Sequence, residues 1–122
     1  MPKKVSFLVG RLRGGKYALK GAWILVSTEP SIQVQAVIAI LMTLLGFYIG
    51  ITPTEWMLQI FAIGLVISIE GLNTAAEGIA DFMHPDFHSK IGYIKDVAAG
   101  AVFIAAITAT IIGLLIYVPY FV

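Results

Sequence analysis

No cysteine occurs in the 122 residues. Disulfides, thiolate zinc sites and cysteine nucleophiles are therefore excluded, and the redox compartment stays open. Charge is nearly as scarce, at 12% of residues, against about 25% in an ordinary soluble domain. The formal net charge is only +1, so no excess of one sign points to a nucleic-acid partner. Internal repeats and low-complexity tracts are missing too. What fills the chain is apolar: 59% of residues are hydrophobic. That content excludes a disordered chain or a collagen-like fibre, argues against a soluble enzyme, and makes lipid the main solvent. The length suits one domain, 1–122.

Two apolar stretches carry no charge at all, Val34–Ile51 over 18 residues and Val97–Val118 over 22. Each can cross the roughly 30 Å hydrocarbon layer at about 1.5 Å per residue. Between them Trp56–Ile69 is shorter, but its helical pattern continues through Leu72, Ala75, Ala76, Ile79 and Ala80. This predicts one helix over 55–81. Thr52-Pro53-Thr54 marks the tight break before it, with Pro53 suited to a first helical turn. His84-Pro85-Asp86 opens the next loop.

Residues 1–29 read differently. They hold six of the eight Lys and Arg residues: Lys3, Lys4, Arg11, Arg13, Lys16 and Lys20. Lys16–Ser27 alternates basic and apolar groups as an amphipathic surface helix does. The run Val5–Val9 is too short for the apolar core of a signal peptide, and no small-residue cleavage site follows. The Thr52–Glu55 turn carries no Lys or Arg, whereas Lys90 and Lys95 lie in the other loop. The positive-inside rule then puts the N-terminus in the cytoplasm. The fold class expected is all-α integral membrane, three transmembrane helices (34–51, 55–81, 97–118) plus an N-terminal surface helix.

Glu70, Asn73, Glu77 and Asp81 interrupt this apolar chain. Their spacings of 3, 4 and 4 place them on one helix face within roughly 80° of arc. A carboxylate at the depth of Glu70 costs at least about 2.5–3.5 kcal/mol on insertion scales, and such residues are usually functional. Three acids and an amide make an oxygen-rich stripe, and magnesium takes one or two carboxylates plus phosphates and water. Lys95-Asp96 precedes the third span, where Lys95 can reach phosphates and Asp96 can favour the helix start. Glu29 precedes the first span at similar depth. Blander readings coexist: an intramembrane acid also serves proton relay, and Glu77 and Asp81 alone suit a solvated helix end. Pro85 between His84 and His88 argues against a shared helix face for zinc. Gly46 and Gly50 form a GxxxG suited to helix packing. GRLRGGKY (Gly10–Tyr17) approaches a phosphate-binding loop, but Tyr17 replaces its Ser or Thr and no α/β sheet can accompany it.

IEGLNTAAEGIADFMHPDFHSKIGYIKDVAAGAV (Ile69–Val102) strongly resembles the signature of the prokaryotic diacylglycerol kinase family, small three-span lipid kinases of the bacterial inner membrane. The resemblance extends to Tyr17-Ala18-Leu19-Lys20-Gly21 and Glu29. It implies a homotrimer whose sites are shared between subunits. It implies Glu70 as catalytic base toward a membrane lipid alcohol, and Glu29 and Glu77 as the carboxylates holding Mg2+ with ATP. It further implies Asn73 and Asp81 as support for the site. Tyr17, Asp86, Phe87, His88, Lys95 and Asp96 fall at nucleotide-contacting positions, and Arg11 or Arg13 at a basic one. Ser31, Gln33, Gln35, Trp56 and Ala99 fall where the lipid is held. Ala99 stands where the diacylglycerol enzymes have serine and Gln33 where they have arginine; the AAGAV segment is more similar to the undecaprenol kinases of the family. Diacylglycerol and undecaprenol both stay open as acceptor. The competing reading is a small transport or proton-relay subunit using Glu70.

Overall fold

A computed structural model describes residues 6–122, which form four helices: α1 (Phe7–Thr28), α2 (Pro30–Ile49), α3 (Pro53–Met83) and α4 (Ser89–Phe121). The last three are long and apolar enough to cross a membrane. Lys3, Lys4 and Val5 lie outside the described residues. Phe7–Val9 is helical, and so is all of Gly10–Tyr17, leaving no loop there to cradle a phosphate.

The breaks follow from local chemistry. Ser6 caps α1 by accepting from the Val9 N–H at 3.2 Å. Glu29 is a one-residue interruption in extended geometry, because the ring of Pro30 disfavours helical backbone at the residue before it. Gly50 ends α2 in the left-handed region, with φ at 77°, which a residue without Cβ adopts freely. Thr52 then starts α3 with a capping box. Its hydroxyl accepts from the Glu55 N–H at 3.2 Å, and Glu55 accepts from the Thr52 N–H at 2.9 Å. Pro53 occupies the first turn, where its missing N–H costs nothing. His88 caps α4 by accepting from the Lys90 N–H at 3.0 Å.

The helices therefore outrun the apolar stretches. The first helix starts at Pro30 rather than at 34 and stops two residues before Ile51, since Gly50 has already turned. The third span's helix begins at Ser89, well ahead of 97, because the His88 cap and not the hydrophobic boundary sets its start. Helix α3 exceeds 55–81 by two residues at each end.

Helices α3 and α4 form the most extensive contact, α2 packs on α3, and α1 on α2. The core sits near the Thr52 turn: Ile51, Ile116 and Tyr117 are buried, with Met42, Leu45, Ile49, Trp56 and Ile112 against them. Gly46 is essential to this end. A Cβ there would lie 2.8 Å from the Trp56 ring, and that ring also packs on Phe47 with centroids 4.7 Å apart. Of the GxxxG pair, then, only Gly46 serves packing; Gly50 is a terminator exposed at the turn. Outside this cluster Ile32, Ala62, Ala80 and Ala105 are also buried, while Phe47, Phe61 and Phe103 are each about two-thirds or more exposed.

Candidate functional site

Helix α3 carries the polar stripe from a buried to an open environment. Glu70 is only 8% exposed; Asn73 is half-buried; Glu77 and Asp81 are exposed. Glu70 faces α2, where the Gln35 amide Nε2–H donates to its carboxylate at a long 3.4 Å. Asn73 Nδ2–H donates to Glu77 Oε1, also at 3.4 Å. Lys95 of α4 closes on Asp81 at 2.5 Å, and Glu77 lies within Coulombic reach of the same ammonium. Lys95 thus reaches the outer end of the stripe at Asp81.

Two oxygens in this region are buried with no hydrogen-bond partner, Gln35 Oε1 and Asn73 Oδ1. Buried acceptors are nearly always paired. These two flank the stripe that the sequence singles out, one at Glu70 and one at Glu77. Both are oxygens that an incoming donor or a hard cation would satisfy.

The end of α1 lies over α3 at this level. A Cβ on Gly71 would stand 3.0 Å from Leu25 Cδ1, which puts the end of α1 against α3 beside Glu70. Glu29, one turn beyond Leu25, is half-buried and makes no capping bond with its side chain. Among the described residues no three carboxylate or imidazole side chains gather into a ligand set.

The remaining sequence-derived positions are more dispersed. Tyr17 is exposed on α1, and Ser31 and Gln33 on the first turn of α2. Asp96 and Ala99 are exposed on α4. Asp86, Phe87 and His88 form an open loop, where the His84 Nδ1–H donates to the Asp86 carbonyl at 2.8 Å. The His84 and His88 rings come within 5.1 Å of each other despite Pro85, because the chain turns between them instead of continuing a helix. Trp56 lies about 21 Å along α3 from Glu70 and is occupied by Gly46 and Phe47; it is not brought to the carboxylate.

Next to Gln35, the hydrogen-bond partner of Glu70, a groove of about 410 Å³ opens between α2, α3 and α4. Gln35 stands at one end, Met42, Gln59 and Ile116 at the other, and Val66, Ile67 and Ala109 lie along it. Its far end is closed by a polar knot that the sequence reading did not isolate. The Tyr117 hydroxyl donates to Gln59 Oε1 at 2.5 Å and lies 3.2 Å from the Met42 carbonyl, to which Gln59 Nε2–H also donates at 3.1 Å. Gln59 was the available signal, as the lone amide in the run Trp56–Ile69. The Tyr120 hydroxyl bonds Glu55 at the same end.

The chain is similar to proteins of known activity. A family model described as prokaryotic diacylglycerol kinase matches residues 16–117. The undecaprenol kinase of Bacillus subtilis (strain 168) is 38% identical over 103 residues, 84% of either chain. The diacylglycerol kinase of Haemophilus influenzae is 30% identical over 102 residues, covering 84% of this chain and 86% of its own. That of Escherichia coli (strain K12) is 30% identical over 93 residues, 76% of this chain and 74% of its own.

Proposed function

This chain belongs to the prokaryotic diacylglycerol kinase family and is a lipid kinase, and we propose that it moves the γ-phosphate of MgATP to the primary hydroxyl of undecaprenol. The products are undecaprenyl phosphate and ADP. Undecaprenol is preferred over diacylglycerol on two grounds. The relative named undecaprenol kinase is the more similar of those compared, at 38% against 30%. Gln33 and Ala99 also depart from the arginine and serine of the diacylglycerol enzymes.

The observation that carries the reading is Glu70 itself, a buried carboxylate at the foot of a polar stripe, whose one long hydrogen bond among the described residues comes from Gln35 in the lining of an apolar groove. An alcohol with a hydrocarbon tail suits that junction. Glu70 takes the hydroxyl proton as the lipid oxygen attacks the γ-phosphorus. The O–H bond breaks and a P–O bond forms. The bond to the β-phosphate oxygen breaks, and its electron pair leaves on ADP. Such transfer is mainly positioning and charge neutralisation.

Asn73 Oδ1, unpaired and buried beside the Glu77 carboxylate, fits a magnesium ion, which takes hard oxygen donors and few carboxylates. Glu77 and Glu29 are the residues that would hold it, and its charge would offset that of the phosphates. Lys95 is part-exposed on its pair with Asp81 and can turn from that carboxylate to phosphate. Tyr17, Asp86, Phe87, His88 and Asp96 surround the nucleotide, with Arg11 or Arg13 as further cations. Ser31, Gln33 and Ala99 border the lipid.

Lys90 and Lys95 lie at the α3–α4 end, beyond Glu70, and no Lys or Arg lies in the Thr52–Glu55 turn. That end faces the cytoplasm, where ATP is found. Three copies, with sites closed by neighbours, cover the large apolar faces that one chain leaves open. A buried acid alone also suits proton relay, but the family and the phosphate-facing groups leave that reading without support.

The test is competition. Purified protein in mixed micelles receives labelled ATP with undecaprenol and diacylglycerol together. Label is expected in undecaprenyl phosphate first. Preferential labelling of phosphatidic acid overturns the choice of acceptor.

A further inference from the structure

Glu70 needs a partner in both of its protonation states, and one side chain provides for both. As a carboxylate it only accepts hydrogen bonds; as a carboxylic acid it carries one donor. Among the described residues its one hydrogen bond is from Gln35, whose Nε2–H reaches Oε2 at 3.4 Å. The second functional atom of that amide, Oε1, is buried and unpaired. A primary amide beside a carboxyl group can close a two-bond ring once the carboxyl is protonated: N–H to the carbonyl oxygen, acid O–H to the amide oxygen. The unpaired Gln35 Oε1 is the acceptor such a ring requires.

We propose that Gln35 is a positioning residue for Glu70, orienting the carboxylate through Nε2–H before transfer and accepting the acid proton at Oε1 after it. This rests on Glu70 being the base, as argued above. The proton passes from the lipid hydroxyl to Glu70 and stays there, hydrogen-bonded to Gln35, until product leaves and water removes it. No further reactant is needed. The arrangement differs from a lipid contact, which is what resemblance alone implies for Gln35. A lipid contact would act on acceptor affinity, whereas a positioning partner acts on turnover with acceptor bound.

Three variants separate the possibilities. Gln35→Leu keeps the bulk and removes both hydrogen-bonding atoms. It is expected to lower kcat about 10- to 100-fold, the scale of a misplaced catalytic group, with KM for the lipid little changed. Gln35→Glu is expected to recover most of kcat, because two adjacent carboxyls share one proton and so keep a donor on Glu70. Unchanged kcat in Gln35→Leu, a loss confined to KM, or a Gln35→Glu variant as slow as the leucine one would each overturn the proposal. If the leucine variant fails to fold, Gln35→Met carries the same comparison. Glu70→Gln keeps the two levels apart: full activity there refutes the base, whereas an inactive Glu70→Gln beside a normal Gln35→Leu refutes only the role of Gln35.

Discussion

The two ends of α3 are both polar, and they are finished differently. Near the Thr52 turn, Gln59 is bonded to Tyr117 and to the Met42 carbonyl, Glu55 to Tyr120, and the capping box satisfies the first turn. From Glu70 to Glu77 the bonds are long and two buried oxygens have no partner. An apolar surrounding penalises any unpaired polar group. The closed end is therefore explained by stability, whereas the open end keeps unpaired acceptors that stability does not account for. Polarity inside a membrane is thus not itself the mark of function; incomplete pairing is.

Breaking the open end should cost chemistry and spare the fold. Glu70→Gln removes the proton acceptor and is expected to lower kcat by about 10²- to 10⁴-fold, the span of general base catalysis, with the unfolding midpoint in micelles unchanged. Breaking the closed end should do the reverse. Gly46→Ala pushes a Cβ to 2.8 Å from the Trp56 ring and should destabilise by about 1–3 kcal/mol, read from denaturant unfolding in mixed micelles. Tyr117→Phe removes the donor from Gln59 and should cost about 0.6–1.7 kcal/mol, as interhelical bonds in membrane proteins do, with kcat preserved. A large kcat effect from either variant would erase the distinction between the ends.

The smallest expected effect sharpens the comparison at its boundary. Asp81 and Lys95 form an ion pair that is well exposed on both sides, and such solvent-screened pairs add little to stability. Asp81→Asn should barely move the unfolding midpoint. It should raise KM for ATP more than KM for the lipid, since Asp81 sits at the watery end of the stripe. An equal change in both constants assigns Asp81 to structure.

How much of this was legible beforehand follows from range in sequence. The three long helices were readable because charge-free runs and Pro53 are local signals. So was the Glu70–Asp81 stripe, whose spacing fixes a common face on any helix. The helix starts at Pro30 and Ser89 were missed because a proline ring and a histidine cap, not hydrophobicity, set them. Pairings between helices were harder still. Gln35 with Glu70 and Gln59 with Tyr117 are separated by 35 and 58 residues, and no period within one helix encodes them. The His84–His88 approach was obscured by Pro85, which excludes a shared helix face but not a tight turn.

The sparse burial of this chain also bears on how it should be handled. Within a single chain few side chains are enclosed, and long stretches of α2, α3 and α4 stay exposed. Wherever neighbouring copies do not cover those faces, the surrounding amphiphile must. Detergent tail length becomes a determinant of half-life on the bench, and short-chain micelles should inactivate it well before heat does.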